Sequence, residues 1–185
     1  MSDAFGPRPG QRGEALGRLL IAGAVVSTAV VQPLADLNDS HAFNEDWPPH
    51  ARFHDLVALG MLQGCCATSM YLLWTKRGDR RLNTAVAALL PATFWVPFFP
   101  AHFVSGSSFD DGTAHHPSPE LPRIGPFRIF PNAAASAVEL SLLALGWWLF
   151  RRAEKMREVL SAPSRSRGGG RRSPHRDVRP PGRAA

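Results

Sequence analysis

Four blocks of apolar residues, Leu19 to Ala35, Leu56 to Trp74, Leu82 to Val104 and Ala133 to Phe150, constrain this chain more than any other feature of its 185 residues. A helix rises about 1.5 Å per residue and the hydrocarbon layer of a bilayer is about 30 Å thick, so one crossing takes roughly 17–25 apolar residues. Each block meets that length. The mean hydropathy of −0.13 hides this pattern, because polar residues fill the ends and the intervening loops. The expected fold is all-α, an integral membrane four-helix bundle with helices over 19–35, 56–74, 82–104 and 133–150 in a membrane domain 19–152. The first block also admits a second reading as a secretory signal, since Arg8, Arg12 and Arg18 precede it. Against that, Pro33-Leu34-Ala35 is a poor small-x-small cleavage site and the block is long for a signal.

Orientation follows from the basic residues, which are retained on the cytoplasmic side when they lie near helix ends. The N-terminal segment carries three, the loop between the second and third blocks carries Lys76, Arg77, Arg80 and Arg81, and eleven follow Phe150. The other two loops, 36–55 and 105–132, hold only Arg52, Arg123 and Arg128 against eight carboxylates. Four crossings then put both termini in the cytoplasm of a plasma-membrane protein. Trp74, Trp147, Trp148 and Phe150 stand at the cytoplasmic ends of their blocks, where interfacial rings sit. Membrane topology thus accounts for the basic charge without a specific nucleic-acid partner.

Residues 1–18 are expected to be a flexible cytoplasmic lead, and 153–185 a basic tail, mostly disordered and too poor in apolar residues to bury a core. The tail serves as a topology signal or as a contact for anionic lipid headgroups or RNA. Gly60-x3-Gly64 in the second block lets a neighbouring helix approach closely, either within the bundle or in a homodimer. Pro91, Pro97 and Pro100 are expected to bend or break the third helix in its outer half. Cys65 and Cys66 are adjacent and read as small apolar packing residues.

The densest polar constellation is the first outer loop: Asn38, His41, Asn44, Trp47, His50, Arg52, His54 and Asp55. Pro48 and Pro49 suit a helix start, where the missing amides cost nothing. His50 and His54 then lie one turn apart on one face, a spacing at which two imidazoles can share a divalent metal, with His41 or Asp55 completing the set. Two other readings stand beside it. In one, these side chains cap helix ends and tie the loop to the bundle, with Trp47 as an interfacial anchor; in the other, a histidine carries protons or binds a ligand. The second outer loop, with Asp110, Asp111, His115 and His116, is rich in Ser, Gly and Pro and reads as a mobile connection.

The positions Asn38, His41, Asn44, Trp47, His50 and His54, with the run Trp-Pro-Pro-His-Ala-Arg-Phe-His, resemble the signature of a family of small bacterial and fungal integral membrane proteins of unknown function. The likeness implies that these positions belong together. It brings no activity, cofactor or catalytic assignment.

Within the helices, Glu139, Gln63 and His102 are polar, and intramembrane carboxylates usually face a bundle interior or wet cavity. Their depths suggest a polar pocket opening away from the cytoplasm, floored by Glu139 and Gln63 and roofed by the histidine-rich loop. Each also has a purely structural reading: Glu139 as a buried uncharged acid, Gln63 as an interhelical hydrogen-bonding group, and His102 as an interfacial residue. Three function classes follow: a protein that binds a small or lipid-like molecule at its outer face, a membrane enzyme using a His-ligated metal on a lipophilic substrate, and a structural subunit of a membrane complex. Phosphate-binding loops, a nucleophile elbow and Cys-x2-Cys pairs are absent from the sequence, which removes the commoner enzyme classes.

Overall fold

A computed structural model describes residues 9–110, 112–118 and 120–161. It is mostly helical: α1 (Pro9–Asp36), α2 (Pro49–Trp74), α3 (Arg80–Trp95), the single turn α4 (Phe98–Ala101) and α5 (Pro131–Ser161), with a small hairpin, β1 (Arg123–Ile124) and β2 (Phe127–Arg128), ahead of α5. Four helical stretches are long and apolar enough to cross a membrane: Gly10–Asp36, Pro49–Trp74, Arg80–Ala101 and Pro131–Ser161. Their outward faces carry exposed Leu19, Val30, Leu34, Met61, Leu89 and Val138. Water would penalise so much outward apolar surface, and lipid would not.

The helices run up and down, with α1 between α2 and α5, and α3 between α2 and α5 on the opposite corner. Ile21, Ala24, Val25, Leu62, Cys66, Leu73, Ala87 and Leu143 form the shared core. The closest approach is α1 against α5. A Cβ built on Gly17 would lie 2.5 Å from the Gly146 carbonyl oxygen and 2.7 Å from the Phe150 nitrogen; one on Gly13 would lie 2.8 Å from Ala153 Cβ. This contact draws α1 back to Pro9, so residues 9–18, expected as a flexible lead, are helix. Residues 153–161, assigned to the tail, likewise continue α5; the rest of the tail and residues 1–8 lie outside the described residues.

Gly60 and Gly64 are exposed, with nothing within 4 Å of a built Cβ. The bundle therefore does not pack through them, and the intramolecular reading of that motif gives way. Gln63 is explained by Pro33. A proline inside α1 has no amide to give the Ala29 carbonyl, and Gln63 Nε2 donates to that oxygen at 3.1 Å instead. On α3, Pro91 remains inside the helix, and the break comes after Trp95, before the separate turn at Phe98. Trp95 is buried and its indole donates to Thr28 Oγ1 at 3.0 Å, tying α3 to α1.

At the end bearing the N-terminus of α1, Glu14 is buried and bridges Arg80 of α3 (3.0 Å) and Arg157 of α5 (2.5 Å). Arg18 lies over the Trp74 ring, Arg151 over Trp147 and Arg152 over Trp148. The basic residues and their aromatic partners thus gather at one end, and both longer loops lie at the other.

Candidate functional site

The loop after α1 is built by short polar side chains. Asn38 Nδ2 donates to the carbonyls of Leu34 and Ala35, closing the end of α1, while its Oδ1 accepts from the Ser40 amide and hydroxyl. With the Ser40 hydroxyl proton given to Asn38, the Ser40 oxygen accepts from Nδ1 of His41 at 2.8 Å, which fixes that ring. Asn44 is fully buried, donating to the Ser40 carbonyl and Thr113 Oγ1 and accepting from the Asp46 amide. Arg52 Nη2 donates to the Asn44 carbonyl at 2.8 Å, and Trp47 packs edge-on against His41.

The second loop folds onto the first, which its composition did not suggest. The His115 amide donates to Asp46 Oδ2 at 2.9 Å and its ring contacts Oδ1. The His115 amide, the Thr113 hydroxyl and the His115 ring together hold the Asp46 carboxyl down at about 2. Reciprocally, the bond to Asp46 raises His115 above the usual histidine range. Asp111 lies outside the described residues.

Beneath this double loop, between α1, α2, α3 and α5, lies a cavity of about 500 Å³. Its polar lining is Gln32, Asp36, Ser40, His41, Asp55 and Asn132; its apolar wall includes Leu59, Phe94, Trp95, Phe98 and Phe109. Gln32 Nε2 donates to Asp36 Oδ2 at 2.8 Å, and both residues are buried. Asp55 Oδ2 is buried with no hydrogen-bond partner among the described residues. Exposed Val31, Ala35 and Ala58 lie at the rim, on the outward surfaces of α1 and α2. A neighbouring cleft of about 470 Å³ shares Phe94, Phe98, Phe109 and Asn132 with it and holds His102 stacked on Phe109 at 4.4 Å.

The structure brings His41 and Asp55 to this cavity and leaves most other sequence candidates outside it. His50 and His54 have Nε2 atoms 3.0 Å apart, as one helical turn dictates, but both are exposed on α2. Among the described residues no three His, Cys, Asp or Glu side chains converge as a metal set, so His41 and Asp55 do not complete one with this pair. Glu139 is buried on α5, its Oε2 without a hydrogen-bond partner among the described residues, and like Gln63 it is absent from the cavity wall. The floor expected from those two is instead Gln32, Leu59 and Trp95. Asp36 escaped the sequence reading because the first block was closed at Ala35, and Gln32 because it stood alone among the apolar residues of that block. The signal available was their own spacing, two polar residues four apart at the end of an apolar run.

Among known families, the model described as "Family of unknown function (DUF6640)" matches residues 20–159, from the first long helix to the last. No curated protein and no solved structure matches the chain.

Proposed function

The chain belongs to this family of unknown function, and we propose that it is a multi-pass plasma-membrane protein that binds a small lipid-like molecule on the face away from the cytoplasm. The basic end, with Arg18, Arg80, Arg151 and Arg152 laid over aromatic rings, is the cytoplasmic side by the positive-inside rule, and both termini belong there. The two loops then face outward.

The observation that carries the reading is the cavity under those loops. Its volume lies within the several hundred Å³ of small-molecule sites, and its wall is mostly apolar and aromatic with a few polar groups at one end. That division suits an amphiphile. A rim formed by exposed residues of α1 and α2 gives a chain sideways access from the bilayer. Neither the His50 and His54 pair nor the Gly60 and Gly64 face supplies such a compartment.

Native mass spectrometry of the detergent-purified chain tests this. Wild type is expected to carry a co-purifying lipid-sized adduct, and Ala135→Trp, which places an indole in the cavity wall, is expected to lose it while staying helical. An adduct unchanged by Ala135→Trp, or none in wild type after extraction in mild detergent, overturns the reading.

A further inference from the structure

The chemistry of the ligand's head can be read from what the cavity lacks. Asp36 and Asp55 both line it, together with His41. Neither takes part in an ion pair among the described residues. Gln32, a neutral amide, is the one described hydrogen-bond partner of the Asp36 carboxyl, and Asp55 Oδ2 is buried and unpartnered. Among the described residues, no Lys or Arg lines the cavity. Arg52, the nearest arginine in sequence to Asp55, directs its Nη2 to the Asn44 carbonyl and is not among the lining residues.

Two carboxyl groups next to an apolar wall are costly unless something meets them, because a buried polar oxygen without a partner forfeits its hydration. A metal ion is a poor occupant, since among the described residues no three His, Cys, Asp or Glu side chains converge as a ligand set. An organic cation is a good one. An ammonium presents up to three N–H donors to the carboxylate oxygens, and a hydrocarbon part attached to it meets the apolar rings of Phe94, Phe98 and Phe109. We infer that the cavity takes an amphiphilic amine, its ammonium seated between Asp36 and Asp55 and its hydrocarbon part against Phe94, Phe98 and Phe109. This rests on the reading of the cavity as a lipid-like binding site, and it adds the charge of the head.

The test is a titration of the detergent-solubilised full chain with dodecylamine, dodecanol and dodecanoic acid, followed by native mass spectrometry at pH 7. It is repeated on Asp36→Asn, Asp55→Asn and the double variant, with helicity checked by circular dichroism. Wild type is expected to bind dodecylamine at least about tenfold more tightly than dodecanol, the size of one charge-assisted hydrogen bond, and dodecanoic acid most weakly. The double variant is expected to bind the amine and the alcohol about equally, with wild-type helicity by circular dichroism certifying the fold. Equal affinity for amine and alcohol in wild type overturns the inference and leaves the cavity reading standing. An amine preference that survives in the double variant overturns it too, by placing the cation elsewhere. Binding of none of the three probes overturns both.

Discussion

Replacing Gly17 by alanine isolates what holds α1 to α5. The added Cβ would sit 2.5 Å from the Gly146 oxygen and 2.7 Å from the Phe150 nitrogen, where ordinary contact begins at 3.4 Å. Both neighbours are backbone, so no rotamer change relieves the clash and the helices must part by up to roughly 0.9 Å, with loss of dispersion contacts along the pair. Overpacking of this kind costs about 1–3 kcal/mol, and the rigid neighbours put it near the upper value. Alanine's better helix propensity returns up to about 1 kcal/mol, leaving a net loss of about 2 kcal/mol. Gly64→Ala carries the same propensity gain with nothing within 4 Å to meet the methyl group, so it should be neutral or stabilising by up to about 1 kcal/mol. Equilibrium unfolding in mixed detergent and SDS micelles, followed by circular dichroism, measures both. A Gly17→Ala variant as stable as wild type would refute the packing argument. A Gly64→Ala loss matching that of Gly17→Ala would show that the α2 face is covered in the assembled protein.

Two further outcomes follow from the polar contacts. The His115 imidazole should titrate above 6.5 by NMR and return to the ordinary histidine range in Asp46→Asn. Its raised value means that its part in docking the second loop is complete below about 6.5 and fades as pH rises through the folded value, while the part of Asp46, held at about 2 against an ordinary 3.8, is present above that range and fades as pH falls toward 2. The loops should therefore protect their amides from hydrogen exchange best between about pH 4 and 6.5. Glu14→Ala leaves Arg80 and Arg157 facing each other without the shared carboxylate. Because both arginines are about half exposed, the loss should be about 1–2 kcal/mol rather than the full penalty of a broken buried pair, read from the same unfolding assay.

The four long helices were legible because bilayer thickness fixes a length, and apolar runs of that length are hard to mistake. Rotation about each helix axis was not. Gln63 turns to the carbonyl freed by Pro33, and neither it nor the buried Glu139 lines the cavity. Gly60 and Gly64 have a spacing that favours close approach, but spacing does not say which face is inward. The glycines that do meet a helix, Gly10, Gly13 and Gly17, looked like loop residues among Pro and Arg, since their use depends on Gly146 and Ala153 far along the chain. Asp55 and His41 were found because the loop around them is dense in polar groups. Asp36 was missed at a helix end, and the aromatic wall of Phe94, Phe98 and Phe109 was invisible because apolar rings in an apolar block carry no local signal.

Ser40 lines the cavity in the first loop, and a thiol there reports both orientation and occupancy. The measurement is labelling of Ser40→Cys, in a Cys65→Ala/Cys66→Ala background, by a membrane-impermeant maleimide on intact cells with and without dodecanol. Labelling without permeabilisation, slowed by dodecanol, is the predicted result. Labelling only after permeabilisation would contradict the outward-facing site, and labelling from outside that dodecanol leaves unchanged would contradict its role in binding amphiphiles.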